Sequence, residues 1–425
     1  MPLNRLQSPE LITPHHIPVI RAGEIKLDNG LSVYVINAGT EEVIKLDIIY
    51  PSGVTGKINF AIASATHQLI DTGTSTKKAI DIAESFDYYG AYLQTDFCPD
   101  WKTISLFSLE RFFGETMNNL LEILEGAVFS AEELDNWKTR IIQSLKVNRE
   151  KVSWLAKTAM NESLYGSDHP YGINLTVNDI EALTAENLCD FFSASYPLDK
   201  ATVIISGNVT SQVLKTLNDT IGKMELRNIN TQLNSIIAPE NIPPSKKFVE
   251  KKDSVQSGVR IGKTMFSKTH VDYPALQIVN TILGGYFGSR LMSNIREDKG
   301  YTYGIGSGVH PHLHSGYFFI STEVGTAVRD AAIIEIYKEL HRLTVEPVPN
   351  TELLLVKNYL IGSFQRSLDG PFTLADRFRG IHQFGLTYDY LDNYLQLLHT
   401  ITPEKVMEVA NMHLQPDSMT EIIAG

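Results

Sequence analysis

The second half of this 425-residue sequence repeats the first half at a spacing of 218 to 219 residues. Three short segments recur in the same order: residues 131–134 at 350–353, residues 185–188 at 403–406, and residues 201–207 at 419–425. A long, constant spacing of this kind is typical of a duplicated structural unit. The repeat therefore predicts two α+β domains of similar fold.

The boundaries of the predicted domains follow from where the periodic patterns stop. We predict an extended, Pro-rich arm over residues 1–22, a first domain over 23–225, a polar Pro-containing linker over 226–246, and a second domain over 247–425. In the first domain, Asn29 and Gly30 predict a hairpin turn, and Ser130 predicts the N-cap of a long helix. Two facing copies of one domain enclose a groove, which is a common place for a binding site.

Composition excludes several classes of function. The formal net charge of −12 argues against a nucleic-acid partner and against a basic membrane-binding surface. The two cysteines, Cys98 and Cys189, predict neither a disulfide framework nor a Cys-based zinc site. No run approaches the ~18 apolar residues of a membrane-spanning helix, and no secretory signal is visible. We therefore expect a cytoplasmic protein, although a mature periplasmic form without its signal would have the same sequence.

A helix followed by a strand is predicted around Arg296. Residues 289–299 place apolar side chains at helical spacing, Gly300 predicts the end of the helix, and residues 301–305 alternate like a strand. Arg296 would then lie in the last helical turn and Tyr303 early in the strand. A guanidinium and a phenol at one point can hold a peptide carbonyl or carboxylate. The alternative is an arginine that stabilises the end of a helix beside a half-buried tyrosine.

Other motifs are weaker. The glycine-rich residues 284–289 lack the Lys-Ser/Thr of a phosphate loop, so they predict close backbone packing instead. His310, His312 and His314 would share one face of a strand, but Pro311 and nearby glycines predict a loop. His67 and Asp71, predicted to lie one helical turn apart, are a second possible pair of metal ligands. The sequence alone does not establish whether either group binds a metal.

The repeat and several motifs together resemble the pitrilysin/insulinase family of zinc metallopeptidases, which includes the mitochondrial processing peptidase. Residues 284–285, 289–291 and 295–303 resemble the signature of the family's C-terminal domain, and residues 73–75 and 89–91 resemble its N-terminal domain. The resemblance covers the chain from about residue 23 to its end. It implies an α+β fold in which each domain is an antiparallel-rich sheet with helices packed on one side. Two domains would form a half-shell, and two half-shells would enclose a peptide.

The zinc motif of that family is degenerate in this sequence. The resemblance places the family's H-x-x-E-H motif on residues 64–68, with Ser64 and Gln68 at the ligand positions and His67 at the general-base position. The third ligand, a glutamate in the family, falls on Ser144 or Leu145. Catalytic zinc needs three protein ligands and an open position for water. We therefore expect no metal or other cofactor in this chain.

A chain with the Arg/Tyr pair and without zinc ligands resembles the non-catalytic subunit of heterodimeric family members. The resemblance implies that Arg296 and Tyr303 position a peptide substrate for a homologous, zinc-bearing partner subunit. Two alternatives remain open: a structural or binding homodimer without a role in proteolysis, and a self-sufficient metallopeptidase with an unusual metal site.

Overall fold

The computed structural model describes residue 14, residues 17–226 and residues 238–425. We refer to residues 17–226 as the first half and to residues 238–425 as the second half. The strands of the first half are β1 (Gly23–Lys26), β2 (Ser32–Asn37), β3 (Val43–Pro51), β4 (Tyr92–Phe97), β5 (Trp101–Leu109) and β6 (Thr202–Gly207). Its helices are α1 (Lys57–Gln68), α2 (Ala79–Asp87), α3 (Phe113–Gly126), α4 (Ala131–Arg149), α5 (Val152–Tyr165), α6 (Val177–Glu181), α7 (Ala185–Ser195) and α8 (Ser211–Asp219).

The second half is likewise built from strands and helices. Its strands are β7 (Lys246–Val249), β8 (Gln256–Met265), β9 (Ile305–Pro311), β10 (Gly316–Gly325) and β11 (Thr420–Ala424). Its helices are α9 (Tyr273–Asn280), α10 (Arg329–Val345), α11 (Asn350–Arg366), α12 (Pro371–His382), α13 (Asp389–Thr400) and α14 (Pro403–His413). Two further segments, Thr281–Gly285 and Met292–Asp298, are π-helical. None of the described helices is long and apolar enough to cross a membrane.

The two sheets share one topology. The strand order is β1-β2-β6-β3-β5-β4 in the first half and β7-β11-β8-β10-β9 in the second, so the orders coincide once β1 is set aside. The parallel pair also coincides, β2 with β6 and β7 with β11, and the other neighbours are antiparallel. This agreement, together with the sequence spacing, confirms the predicted α+β repeat with antiparallel-rich sheets.

Local signals in the sequence account for several elements. β1 and β2 form the predicted hairpin, and Gly30 has the positive φ of +86° that its turn requires. The Ser130 side chain accepts a hydrogen bond from the Glu133 amide and caps α4 as predicted. Much of the predicted linker falls outside the described residues, and its last residue, Lys246, already belongs to β7.

Strand β3 shows how each sheet is covered on both faces. Ile44, Leu46 and Ile48 are fully buried and share a core cluster with residues of the first half's own helix α3. Ile49, on the opposite face, is buried against Phe378 of α12. Side chains of a strand alternate between faces, so β3 is apolar on both sides because both sides are covered.

The covering helix on the second face of each sheet comes from the other half of the chain. Helix α5 of the first half packs on the second sheet, where Ala156 and Met160 share a cluster with Ile422 and Ala424. Helix α12 of the second half packs in turn on β2, β3 and β6. The first residues of α5 and α12 differ by 219 positions, which is the spacing of the repeat. The two halves therefore exchange equivalent helices.

Gly258 is a point of close approach between α5 and the second sheet. A Cβ at this position would lie 2.5 Å from the Val152 carbonyl oxygen and 2.7 Å from its carbon. We expect Gly258→Ala to lower the free energy of unfolding by about 1–3 kcal/mol, because backbone atoms must move. Gly362→Ala in α11 is the control, since a Cβ added there would have no atom within 4 Å. That change should be neutral or stabilising by up to ~1 kcal/mol. Urea denaturation of both variants measures the difference, and equal effects would contradict the prediction.

Candidate functional site

Arg296 lies near the end of the π-helical segment Met292–Asp298. The segment closes with hydrogen bonds from the Lys299 amide to the Asn294 carbonyl and from the Tyr301 amide to the Ile295 carbonyl, both 3.0 Å. Gly300 has a φ of +64°, which favours glycine. The predicted helix end at Gly300 is confirmed, although the segment is π-helical.

Tyr303 does not lie in a strand, so that prediction is wrong. Strand β9 begins at Ile305, and the residues from Gly300 to Gly304 form a loop. The Thr302 hydroxyl donates a 2.7 Å hydrogen bond to the Glu323 carbonyl. This carbonyl lies just beyond the last residue pair of the β9–β10 ladder, so the side chain occupies an acceptor that a longer strand could have used. The loop is thereby fixed to β10 at Thr302, and the Tyr303 side chain is 96% exposed.

An exposed aromatic ring that we did not predict supports Arg296. The Arg296 guanidinium lies 4.7 Å from the centre of the Phe287 ring, a cation–π distance. In the described part of the chain Arg296 forms no ion pair, so its N–H groups remain available to a ligand. The residue is Phe287, which lies directly before Gly288 and Ser289 in a turn and is exposed. Its position in the sequence was the signal that could have indicated an exposed ring near Arg296.

Buried contacts hold this segment in place. Arg290, which is 8% exposed, makes a bidentate ion pair with Glu352 of α11, with Nε–Oε1 at 2.8 Å and Nη2–Oε2 at 2.9 Å. The Asn294 amide donates to Glu339 at 2.8 Å. A Cβ on Gly284 would lie 2.6 Å from the Ser307 amide nitrogen, which confirms close packing of the glycine-rich stretch. The site therefore rests on a fixed backbone.

The positions that correspond to the zinc ligands are bonded to each other. The Gln68 amide nitrogen donates a 2.9 Å hydrogen bond to the Ser64 hydroxyl, one turn earlier on α1. The Trp137 indole donates to the Gln68 amide oxygen at 3.2 Å. Ser144, at one candidate position of the third ligand, accepts a 3.3 Å hydrogen bond from Asn148, and Leu145 packs on the core. This donor set does not fit zinc, which binds through nitrogen, sulfur and carboxylate ligands.

His67, at the general-base position, is turned into the core. It is fully buried, its Nε2 lies 3.0 Å from the Thr103 carbonyl, and its Nδ1 lies 3.0 Å from the Tyr196 hydroxyl. The neutral ring satisfies both contacts when Nε2 donates and Nδ1 accepts. Asp71 lies beyond the end of α1 at Gln68, so it is not one helical turn from His67 as predicted. Burial raises the pKa of Asp71.

The burial of His67 predicts a pH dependence of stability. Burial lowers the pKa of His67 to about 4. Between about pH 4 and pH 6.5, His67 is therefore protonated in the unfolded chain and neutral in the folded chain. The free energy of unfolding should therefore fall as the pH drops from about 6.5 to 4, by about 3 kcal/mol from this residue. NMR of the imidazole resonances measures the titration, and His67→Gln should flatten the pH profile. A His67 midpoint near 6.5 would contradict this.

The three alternating histidines do not lie on one strand, although the ring centres of His310 and His312 are 4.9 Å apart. His310 lies in β9, whereas His312 and His314 lie in the turn between β9 and β10, so the predicted loop begins only after Pro311. His312 stacks on Tyr171 of the first half at 3.8 Å, and its Nδ1 lies 3.7 Å from Asp100. Burial, together with His312, lowers the pKa of His310 to about 4. The group thus joins the two halves.

Side chains that could bind a metal are dispersed over the described chain. Within residue 14, residues 17–226 and residues 238–425, no group of three or more His, Cys, Asp and Glu side chains lies close enough together to hold a metal ion. Glu150, the carboxylate nearest the third ligand position in sequence, forms an ion pair with Lys251 instead. The residues present therefore fit hydrogen bonding better than metal binding.

Comparison with known proteins finds similar sequences and similar structures. Residues 182–360 match the family model described as the peptidase M16 inactive domain. The chain is 23% identical to the uncharacterized zinc protease YmxG of Bacillus subtilis over 93% of this chain and 96% of that protein. It is 22% identical to the non-peptidase homolog YmxG of Helicobacter pylori over 88% of this chain and 86% of that protein.

Solved structures show the same fold. A peptidase M16 inactive domain from Pseudomonas fluorescens superposes with a TM-score of 0.84 at 22% identity, covering 95% of this chain and 98% of that one. A protease from Helicobacter pylori superposes with a TM-score of 0.85 at 19% identity, covering 96% and 100%. The periplasmic protease PqqL from Escherichia coli gives a TM-score of 0.78 at 15% identity, and there 100% of this chain covers 49% of the other.

Proposed function

We propose that this chain, whose residues 182–360 match the peptidase M16 inactive domain model and whose sequence resembles the pitrilysin/insulinase family, is the non-catalytic subunit of a heterodimeric zinc peptidase. In this role it binds a peptide substrate and positions it for a homologous partner that carries the zinc. The zinc of the partner supplies the activated water and the Lewis acid for peptide hydrolysis.

One observation carries the proposal. At the ligand positions of the family's zinc motif, Gln68 donates a hydrogen bond to Ser64 and accepts one from Trp137, and His67 is hydrogen-bonded to Thr103 and Tyr196. These side chains satisfy one another, as buried polar groups do in a folded core. The non-peptidase name of the Helicobacter pylori relative is consistent with a chain that no longer hydrolyses peptides by itself.

Arg296 and Tyr303 are suited to hold a peptide. Phe287 supports the guanidinium from one side and leaves its N–H groups free to donate to a carbonyl or carboxylate. The Tyr303 phenol is available from solvent because Thr302 fixes the loop beneath it. The two side chains make no hydrogen bond with each other in the described structure, so each keeps its donors for a ligand. The hydrogen bonds from Arg296 and Tyr303 to a peptide become stronger when a second surface excludes water from them. The partner subunit would supply that surface.

The chain is shorter than one of the solved structures with the same fold. This chain corresponds to about half of the Escherichia coli protease PqqL, since it covers 49% of that structure. Two units of this size therefore fit the length of the longer protease.

Reconstitution tests the proposal. The protein is purified from its native cells under conditions that preserve complexes, and co-purifying chains are searched for a homologue with an intact H-x-x-E-H motif. Peptide cleavage is then measured for each chain alone and for the mixture with zinc. We expect cleavage only, or far faster, in the mixture. A partner that is fully active alone contradicts the proposal, and a stable homodimer with no such partner supports the structural alternative.

A further inference from the structure

A separate cavity of about 260 Å³ lies among the helices of the second half. It is bounded by α9, α11, α12 and α13 and by the loop after β8. Its lining residues are Lys268, Tyr273, Gln277, Leu360, Ser363, Phe364, Arg377, Tyr390, Leu391 and Tyr394. Neither Arg296 nor Tyr303 contributes to it, and it contains none of the zinc-motif positions.

The lining contains two basic side chains and no carboxylate. The Lys268 ammonium donates a 2.5 Å hydrogen bond to the Gly380 carbonyl, and the Arg377 Nε donates to the Ser367 hydroxyl at 2.7 Å. Both partners are neutral. Among the residues that the structure describes, neither cation has an Asp or Glu oxygen within ion-pair distance. The remaining N–H groups of both side chains thus lack an anionic partner.

Both basic side chains of the cavity have lowered pKa values. Burial, together with the positive charge of Arg377, lowers the pKa of Lys268 to about 8. Burial also lowers the pKa of Arg377. Two like charges that share a partly buried space repel each other, and an anion between them would relieve both the repulsion and the desolvation.

Neutral donors complete the lining. The hydroxyls of Tyr390 and Tyr394 have no hydrogen-bond partner within the described ranges, and Ser363 lines the same cavity. Burial raises the pKa of Tyr394 to about 12, so its hydroxyl stays protonated and can donate. Tyr273 accepts a 2.8 Å hydrogen bond from Gln277, which leaves its own O–H free to donate. Phenol, guanidinium and ammonium donors around one space are complementary to an oxyanion.

We propose that this cavity binds a small oxyanion, the phosphate or carboxylate group of a ligand, between Lys268 and Arg377. Its chemistry is independent of the peptide-positioning role. Arg377 faces the cavity from α12, and the adjacent Phe378 packs that helix on the first sheet. An anion bound here would therefore tie α12 to the loop after β8 and stabilise the docking of α12 on the first half.

Isothermal titration calorimetry with sulfate and with acetate tests the site. Neither anion titrates between pH 6 and 9, and together they separate a tetrahedral oxyanion from a carboxylate. We expect saturable binding of one of them at one site per chain. Binding should weaken at least tenfold in Lys268→Met and in Arg377→Gln. Arg366→Gln in α11, an exposed arginine, is the matched control and should bind as the wild type does.

Proton uptake gives a second readout on the unaltered protein. An anion beside Lys268 raises its pKa, so binding at pH 8 should take up about half a proton, and binding at pH 6 almost none. Calorimetry in two buffers of different ionisation enthalpy measures this number. Absence of binding by both anions, wild-type affinity in both variants, or the same proton uptake at pH 6 and pH 8 would each overturn the proposal.

Discussion

Arg296→Ala is expected to lower kcat/KM of the reconstituted peptidase about 100-fold. A charge-assisted hydrogen bond to a peptide carbonyl contributes roughly 1.5–3 kcal/mol, and the guanidinium can make more than one. The loss of a positioning contact raises the barrier by a similar amount, since each 1.4 kcal/mol is a factor of ten. Arg296→Lys keeps the charge but loses the planar fork, so it should recover only part of the activity.

The fold should be unaffected by this change. Arg296 contacts Phe287 on the surface and makes no buried ion pair in the described structure, whereas Arg290 carries the internal link to Glu352. Lys299→Ala removes the same unit of charge three residues further along and serves as the control, with an expected change of less than about threefold because surface charges are screened. Circular dichroism and assembly with the partner should match the wild type in both variants. Wild-type kcat/KM in Arg296→Ala would contradict the assigned role.

Lys102→Met is expected to stabilise the protein and to remove much of the alkaline rise in its stability. Lys102 is fully buried in the first half, with its ammonium 4.1 Å from the Tyr196 ring and 3.4 Å from the Ser52 carbonyl. Burial lowers the pKa of Lys102 well below its usual value. The unfolded chain therefore binds a proton that the folded chain lacks, at all pH values between the lowered folded pKa and ~10.4. An apolar side chain of similar size avoids that difference.

The sign of the effect follows from proton linkage. Because the unfolded state binds more protons, the free energy of unfolding of the wild type rises with pH by about 1.4 kcal/mol per pH unit within that interval from this residue alone. Lys102→Met should lose that contribution and gain about 1–4 kcal/mol at neutral pH. Urea denaturation at several pH values between 7 and 9.5 measures both. Lys26→Met, at an exposed position of β1, is the control. Parallel pH profiles of wild type and Lys102→Met would contradict the prediction.

Much of the fold could be predicted because the repeat and the local signals act over short distances. The Asn29-Gly30 turn, the Ser130 cap and the helix end at Gly300 all appear where the sequence predicts them. The exchange of α5 and α12 could not be predicted. Both helices have apolar faces, but no local pattern tells which sheet such a face will cover.

The site was harder to predict for a similar reason. Residues 301–305 alternate as a strand would, yet the Thr302 hydroxyl takes the Glu323 carbonyl and the ladder ends at Ile305. Side-chain bonds of this kind compete with secondary structure and leave no periodic signal. Burial of charged groups is equally hidden: Lys102, Lys268 and Arg377 come from separate segments, and only the tertiary structure removes them from water.

The exchange of α5 and α12 bears on how such a chain can have arisen. A half-length chain would leave one face of its sheet and one face of its exchanged helix apolar and open to water, because Ile49 and Ile204 are covered by α12 and Ile422 is covered by α5. A half-length ancestor could hide those faces by swapping the helix with a second copy of itself, as in a domain-swapped dimer. Gene fusion would then convert that dimer into one polypeptide, and two exchanged helices that begin 219 residues apart are the trace expected of it.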